Sequence, residues 1–139
     1  MRGGTVLGFD HGSQRIGVAV GNLTSGTAEG LCTLRGRDGS PDWDEIAALL
    51  AEWSPQHLVV GLPLTMEDDE QPATQAARRF GNRLHGRFGL PVEWIDERLT
   101  SVAAERQLSA RQRQRDPGAV DRLAAREILL TWIAQQEQH

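Results

Sequence analysis

From Ile16 to Gly21 the chain alternates strictly between bulky and small residues: Ile16, Val18 and Val20 take one parity, Gly17, Ala19 and Gly21 the other. A period of two is that of a β-strand, whose successive side chains point to opposite faces. This strand therefore has one bulky face and one flat face, and the flat one suits a helix packed close against the sheet. A fold that contains it is built on a sheet, with at least one helix seated tightly upon it.

The neighbouring patterns supply the rest of the sheet. Residues 5–9 read as a buried strand, joined to the strand at 15–20 by a short connection suited to a hairpin, and a third strand around 29–34 completes an antiparallel meander. Residues 42–53 form the first clear helix: Trp43, Ile46, Ala47, Leu50 and Trp53 recur at spacings of three and four, with Ser40-Pro41 before it and Ser54-Pro55 after it. Residues 57–61 are a short buried strand, 72–88 a second helix with Ala73, Ala77, Phe80, Leu84 and Phe88 along one side, and 92–95 a fifth strand. Thr100 or Ser101 can cap a short helix to about residue 108. Residues 109–118 are rich in Arg and Gln without an apolar pattern, and 120–136 is the last helix, with Val120, Leu123, Ala124, Ile128 and Trp132 in its stripe. The expected fold is α/β: a mixed five-stranded sheet, a three-stranded meander plus two parallel strands, flanked by helices as in ribonuclease H-like proteins. The 139 residues fit one domain, 1–139.

Composition narrows the function. No apolar run approaches the ~20 residues that cross a bilayer, and no secretory signal is recognisable at the N-terminus, so no membrane partner is expected. The single cysteine, Cys32, rules out an internal disulfide and fits a reduced thiol in a cytoplasmic protein. A net charge of -4 argues against a generic polyanion binder. Its distribution matters more. All fifteen basic residues are arginine. Arg78, Arg79, Arg83 and Arg87 fall on one helix and read as a solvated face. Arg106, Arg111, Arg113 and Arg115 run toward Asp121, where a basic arm could guide a phosphate backbone.

Three acids stand where elements start or stop: Asp10 after the first strand, Glu97 after the fifth, and Asp121 at the opening of the last helix. In the expected sheet, Asp10 lies at the end of a central strand, beside the parallel strand finishing at Asp96 and Glu97. Three carboxylates brought together repel one another unless a divalent cation neutralises them, and oxygen-only ligation suits a hard ion such as Mg²⁺ or Mn²⁺. Two such ions could activate a water and stabilise the departing 3′ oxygen in phosphodiester hydrolysis. Each acid has a plainer alternative: an Asx turn for Asp10, a cap for Asp96, the helix dipole for Asp121. Alternation points only one of Asp96 and Glu97 into the cleft, and it turns His11 away from the acids. Ser13 and Arg15 follow Asp10 closely enough to touch a phosphate, and Arg98, Arg111, Arg113 and Arg115 are further candidate substrate contacts. The acids at 67–70 read as a prelude to the second helix. Thr100 and Ser101 have no histidine or lysine nearby in sequence to activate them and read as caps more than nucleophiles. No Walker-type glycine loop is present.

At these residues the chain resembles the YqgF/RuvX family, Holliday-junction-resolvase-like proteins regarded as candidate pre-16S rRNA nucleases. The likeness rests on four ordered blocks: 8–20 around Asp10, Val59-Val60-Gly61-Leu62-Pro63-Leu64, Asp96-Glu97-Arg98-Leu99-Thr100-Ser101, and 120–129 around Asp121. It implies Asp10, Glu97 and Asp121 as the acidic catalytic and metal-binding set, a Mg²⁺ or Mn²⁺ cofactor, and maturation of the 5′ end of small-subunit ribosomal RNA. The chain departs from the family pattern at Ser13-Gln14, Asn22, Thr65, Glu67 and Asp68, and carries arginine where lysine is frequent before the last acid. The nucleic-acid partner is pre-rRNA or branched DNA, bound by a monomer or a homodimer. Beside the RNA nuclease stand a DNA junction resolvase, a non-catalytic assembly factor, and a nucleotide binder of the actin-like type. That last needs two such domains.

Overall fold

The computed structural model describes residues 4–37, 40–64, 67, 69–100 and 116–137. In chain order the described elements are β1 (Thr5–His11), β2 (Arg15–Asn22), β3 (Thr27–Arg37), β4 (Ser40–Pro41), α1 (Trp43–Trp53), β5 (His57–Leu62), α2 (Pro72–Phe88), β6 (Val92–Asp96), a 3₁₀ turn (Glu97–Leu99) and α3 (Pro117–Gln136). The sheet runs β4-β3-β2-β1-β5-β6. β1 pairs antiparallel with β2 and parallel with β5, and β5 pairs parallel with β6. The expected meander and parallel pair are present, with β1 central.

The sheet has six strands, not five. Ser40-Pro41, expected only to start the first helix, pairs with Gly36 and Arg37 as a two-residue edge strand. Proline is tolerated there because an edge strand need not donate on its outer side. Asp42 is the helix cap instead, its carboxylate accepting from the Asp44 amide at 2.9 Å. Ser54 ends the helix in the left-handed region, at φ 46°, with its amide donating to the Leu50 carbonyl.

The two faces of the sheet bury separate cores. On one, Leu7, Phe9, Ile16, Val18, Leu58 and Val60 meet α1 and α2 through Ile46, Ala77, Phe80 and Leu84. In α1, Ala47 is exposed and Leu49 packs in its place. On the other face, Val6, Ala19, Val59 and Ile95 meet α3 through Ala124, Ala125, Ile128, Leu129, Trp132 and Ile133. Gly81 of α2 leaves room for the Trp94 indole: a β-carbon there would stand 2.3 Å from the ring. No described helix is long and apolar enough to cross a membrane.

α3 begins earlier than its apolar stripe suggests. Asp116 caps it, accepting from the Gly118 amide at 3.2 Å, and Pro117 occupies the first turn, where a missing N–H costs nothing. Asp121 therefore stands in the second turn and does not open the helix.

Candidate active site at the end of the central strand

The flat face of the sheet organises this region. β1 extends to His11, so Asp10 lies within the strand and not in a turn; it pairs with Gly17 and is 3% exposed. Gly8, two residues earlier and so on the same face, abuts Leu129 and the Ala125 carbonyl of α3. Asp10 thus faces α3. The β1–β5 register sets Phe9 beside Val60, which brings Gly61 abreast of Asp10 on its other side. Asp10 is bracketed by two glycines.

What fills the space above those glycines are the other two acids. A β-carbon on Gly17 would stand 2.0 Å from the Asp121 carbonyl oxygen and 2.9 Å from its Cβ. A β-carbon on Gly61 would meet Glu97 Oε1 at 3.0 Å and Ile128 Cδ1 at 2.5 Å. Strands lie ~4.8 Å apart, so Gly17 and Gly61 flank Asp10 across roughly 10 Å. Positions 10, 97 and 121 therefore converge on one patch of one face. Ala125 and Ile128, fully buried against the sheet, hold Asp121 above it.

The carboxylate of Asp121 accepts from Arg15 Nε at 2.8 Å. Among the described residues, no three of His, Cys, Asp or Glu are gathered closely enough to hold an ion as they stand. The donor set suits a hard cation in chemistry and in convergence. The Arg15 contact occupies one oxygen of Asp121 in this arrangement.

The remaining sequence candidates divide. Asp96 ends β6 and caps the 3₁₀ turn, accepting from the Arg98 amide at 2.9 Å. Its carboxylate also accepts from Arg98 Nε at 2.9 Å and from Nη2 at 2.5 Å, and this grip holds it below the usual carboxylate range. Arg98, expected to meet substrate, is folded back on its neighbour. Ser13 is exposed in the β1–β2 turn. Thr100 closes the 3₁₀ turn through its hydroxyl on the Glu97 carbonyl. His11 lies on the opposite face, its ring 4.9 Å from that of Phe80. Burial pushes the Cys32 thiol up, which suppresses the thiolate a nucleophile needs. Of the acidic prelude, Glu70 pairs with Arg78, while the Thr74 hydroxyl caps α2 at the Gln71 amide. Arg106, Arg111, Arg113, Arg115, Thr65 and the helix expected near 101–108 lie outside the described residues. Sequence reasoning missed the part played by Gly61; a glycine closing an apolar strand beside an acid-ended one was the available signal.

Known proteins resemble this chain in sequence and in fold. A relative from Nitrosococcus oceani, named "Putative pre-16S rRNA nuclease", is 50% identical over 134 residues, covering 95% of this chain and 88% of the relative. A protein of the same name from Glaesserella parasuis serovar 5 is also 50% identical, covering 97% of its own length. Among solved structures, T. thermophilus RuvC in complex with a Holliday junction substrate superimposes with a TM-score of 0.58 at 16% identity, covering 96% of this chain and 95% of that one. The Fowlpox virus resolvase bound to Holliday junction DNA gives 0.57 at 10% identity. These likenesses fix the fold as that of RuvC, the ribonuclease H-like one. The family model described as "RuvX: Holliday junction resolvase" matches residues 4–135, and the chain belongs to that family.

Proposed function

We propose that this chain is a cytoplasmic, divalent-metal-dependent nuclease that hydrolyses phosphodiester bonds in precursor 16S rRNA, using Asp10, Glu97 and Asp121. One observation carries the reading: buried Asp10 lies between two glycines whose missing side chains leave room for Glu97 on one side and Asp121 on the other. Carboxylates gathered at the strand end of a sheet repel one another, and a divalent cation held among them relieves that repulsion.

The chain's own residues do the positioning. β1 and β5 fix the Asp10 carboxylate on a rigid floor, α3 suspends Asp121, and the 3₁₀ turn swings Glu97 over Gly61. Arg15 holds Asp121 and presents a guanidinium at the rim, where a phosphate oxygen can replace the carboxylate as its partner. Mg²⁺ or Mn²⁺ held by the three acids would lower the pKa of an attacking water and neutralise charge on the departing oxygen.

The test is cleavage of an RNA carrying the 5′ precursor segment, with Mg²⁺ or Mn²⁺, by wild type and by Asp10→Asn, Glu97→Gln and Asp121→Asn. Each variant should keep its near-UV circular dichroism and lose at least about a hundredfold in rate. Full activity in any one of them removes that residue from the set. The family description favours a second reading, resolution of four-way DNA junctions, which needs paired cuts and hence a dimer. A matched junction cut strongly by a dimer, with the RNA inert, would establish that reading instead. The Arg15–Asp121 ion pair, which neutralises one acid without a metal, favours a third, an assembly factor that binds without cutting. Asp10→Asn losing metal binding with cellular function intact would select it.

A further inference from the structure

Beside the acids, a cleft of about 620 Å³ opens between β2, β3 and the start of α3, lined by Gln14, Arg15, Thr33, Arg35, Asp116 and Arg122 among others. Arg15 and Arg35 face each other directly across the β2–β3 ladder. Like charges in that position repel, so the pair costs stability unless an anion lies between or above them. Arg15 is answered by Asp121. Arg35 makes no ion pair or hydrogen bond among the described residues, and its side chain is exposed.

The far wall is built to hold a third guanidinium still. Arg122 donates from Nη2 to Asp116 at 2.6 Å and from Nη1 to the Thr33 hydroxyl at 3.1 Å, while that hydroxyl donates to the Gly118 carbonyl at 2.8 Å. Asp116 is kept charged by this contact, its carboxyl held below the usual range by Arg122. With Arg15 paired to Asp121 and Arg122 to Asp116, Arg35 leaves the cleft with one unanswered positive charge on a chain whose net charge is -4. The cleft adjoins the acids through Arg15, which lines it and donates to Asp121.

We propose that this cleft binds a backbone phosphate of the substrate strand a few nucleotides from the scissile bond, with Arg35 as the principal cation and Arg122 as a fixed second one. The inference rests on the nuclease reading for what the strand is, and deepens it by naming where the strand runs. Asp10 pairs with Gly17 and Gly17 with Thr33, so Arg35 stands two strands across from Asp10 and two residues further along, roughly 12 Å between backbones, a separation that suits a phosphate neighbouring the one over the acids. Planar forked donors match phosphate oxygens in pairs, and the Gln14 amide adds a neutral donor at the rim.

The test uses the full chain and a fluorescent single-stranded RNA, with EDTA present to prevent cleavage, titrated between about 50 and 200 mM KCl. Arg35→Ala should weaken binding roughly tenfold at the low end. It should also flatten the slope of log affinity against log salt by about 0.7, the signature of one lost phosphate contact. Arg35→Lys should restore the slope, and with metal present Arg35→Ala should raise KM while leaving kcat at saturation. An unchanged affinity and slope in Arg35→Ala would overturn the proposal, as would a wild-type protein that does not bind the RNA. Inorganic phosphate satisfying the Arg35-dependent site as tightly as the oligonucleotide would overturn it too, in favour of a free-anion site. If wild type binds RNA through Arg35 yet cuts nothing with Mg²⁺ or Mn²⁺, the cleft stands and the nuclease reading falls.

Discussion

On the face covered by α1 and α2, β1 and β2 present Leu7, Phe9, Ile16 and Val18; on the face covered by α3, the same strands present Gly8, Gly17, Ala19 and Gly21. The first face interlocks large side chains, with Phe80 of α2 edge-on to Phe9 at 5.5 Å and stacked on Trp43 at 5.9 Å. The second gives up side-chain volume so that the backbone of α3 lies almost on the sheet. Burying large apolar groups stabilises by about 1.5–3 kcal/mol per side chain, and a glycine contributes none of that. The flat face gains position instead, because only a helix this close can hang Asp121 over Gly17 beside Asp10. The large side chains of β1 and β2 are concentrated on one side and the candidate site lies on the other.

The comparison is broken most forcefully at Phe80. Phe80→Ala removes a ring that is 2% exposed and should cost about 3–5 kcal/mol in urea unfolding. If the faces are separable, kcat per folded molecule should stay at the wild-type value. A fall in kcat beyond the loss of folded protein would mean that the bulky face also sets the site. The converse variant is Gly17→Ala. Its new methyl would overlap the Asp121 carbonyl, forcing α3 outward at a cost of about 1–3 kcal/mol. A displacement of about 1 Å at the acids should lower cleavage by roughly a hundredfold, far more than its effect on stability implies. Wild-type turnover in Gly17→Ala would show that close approach is not what positions Asp121. Gly86 of α2 is the control, since nothing lies within 4 Å of the β-carbon it lacks. Gly86→Ala should stabilise by about 0.5–1 kcal/mol through helix propensity and leave cleavage unaltered.

The flat face was legible in the sequence because Gly17, Ala19 and Gly21 alternate with bulky neighbours, and period two is a local property of a strand. The long helix at 72–88 and the central strands were legible for the same reason. Ser40-Pro41 as a strand was not, because two residues carry no period and the pairing is with Gly36 and Arg37 of another strand. The start of α3 was misplaced although Asp116-Pro117 is a cap followed by a first-turn proline; the Arg- and Gln-rich composition before it outweighed that local signal. Arg98 was assigned to substrate when an acid two residues earlier was within easy reach. Convergence of residues 10, 97 and 121 followed from sheet topology, but Arg15 on Asp121 did not, since it depends on a helix rotation that periodicity gives only coarsely.

Asp96 and Glu97 carry the contrast of faces down to adjacent residues. Asp96 pairs with Leu62 in the β5–β6 register and turns toward that residue's face, while Glu97 reaches over Gly61 on the α3 side. Asp96 should therefore act on stability and Glu97 on turnover. The Asp96–Arg98 ion pair is partly exposed, with side-chain accessibilities of 22% and 25%, so screening limits it to about 0.5 kcal/mol. Its carboxyl is depressed in the folded state, so its stabilisation is fully present above the ordinary aspartate value of about 3.9 and is lost as pH falls through the lower folded value. Asp96→Asn should thus be less stable than wild type at pH 7, and the gap should close below that range because the wild-type carboxyl is then protonated as well. Denaturant titrations of both proteins at neutral and acidic pH measure this. A gap that persists undiminished in acid would show that the charge of Asp96 is not what stabilises the fold, since asparagine accepts from the Arg98 amide as aspartate does. A large loss of turnover in Asp96→Asn at pH 7, with unfolding scarcely changed, would place Asp96 among the acids of the site and dissolve the division between the two faces.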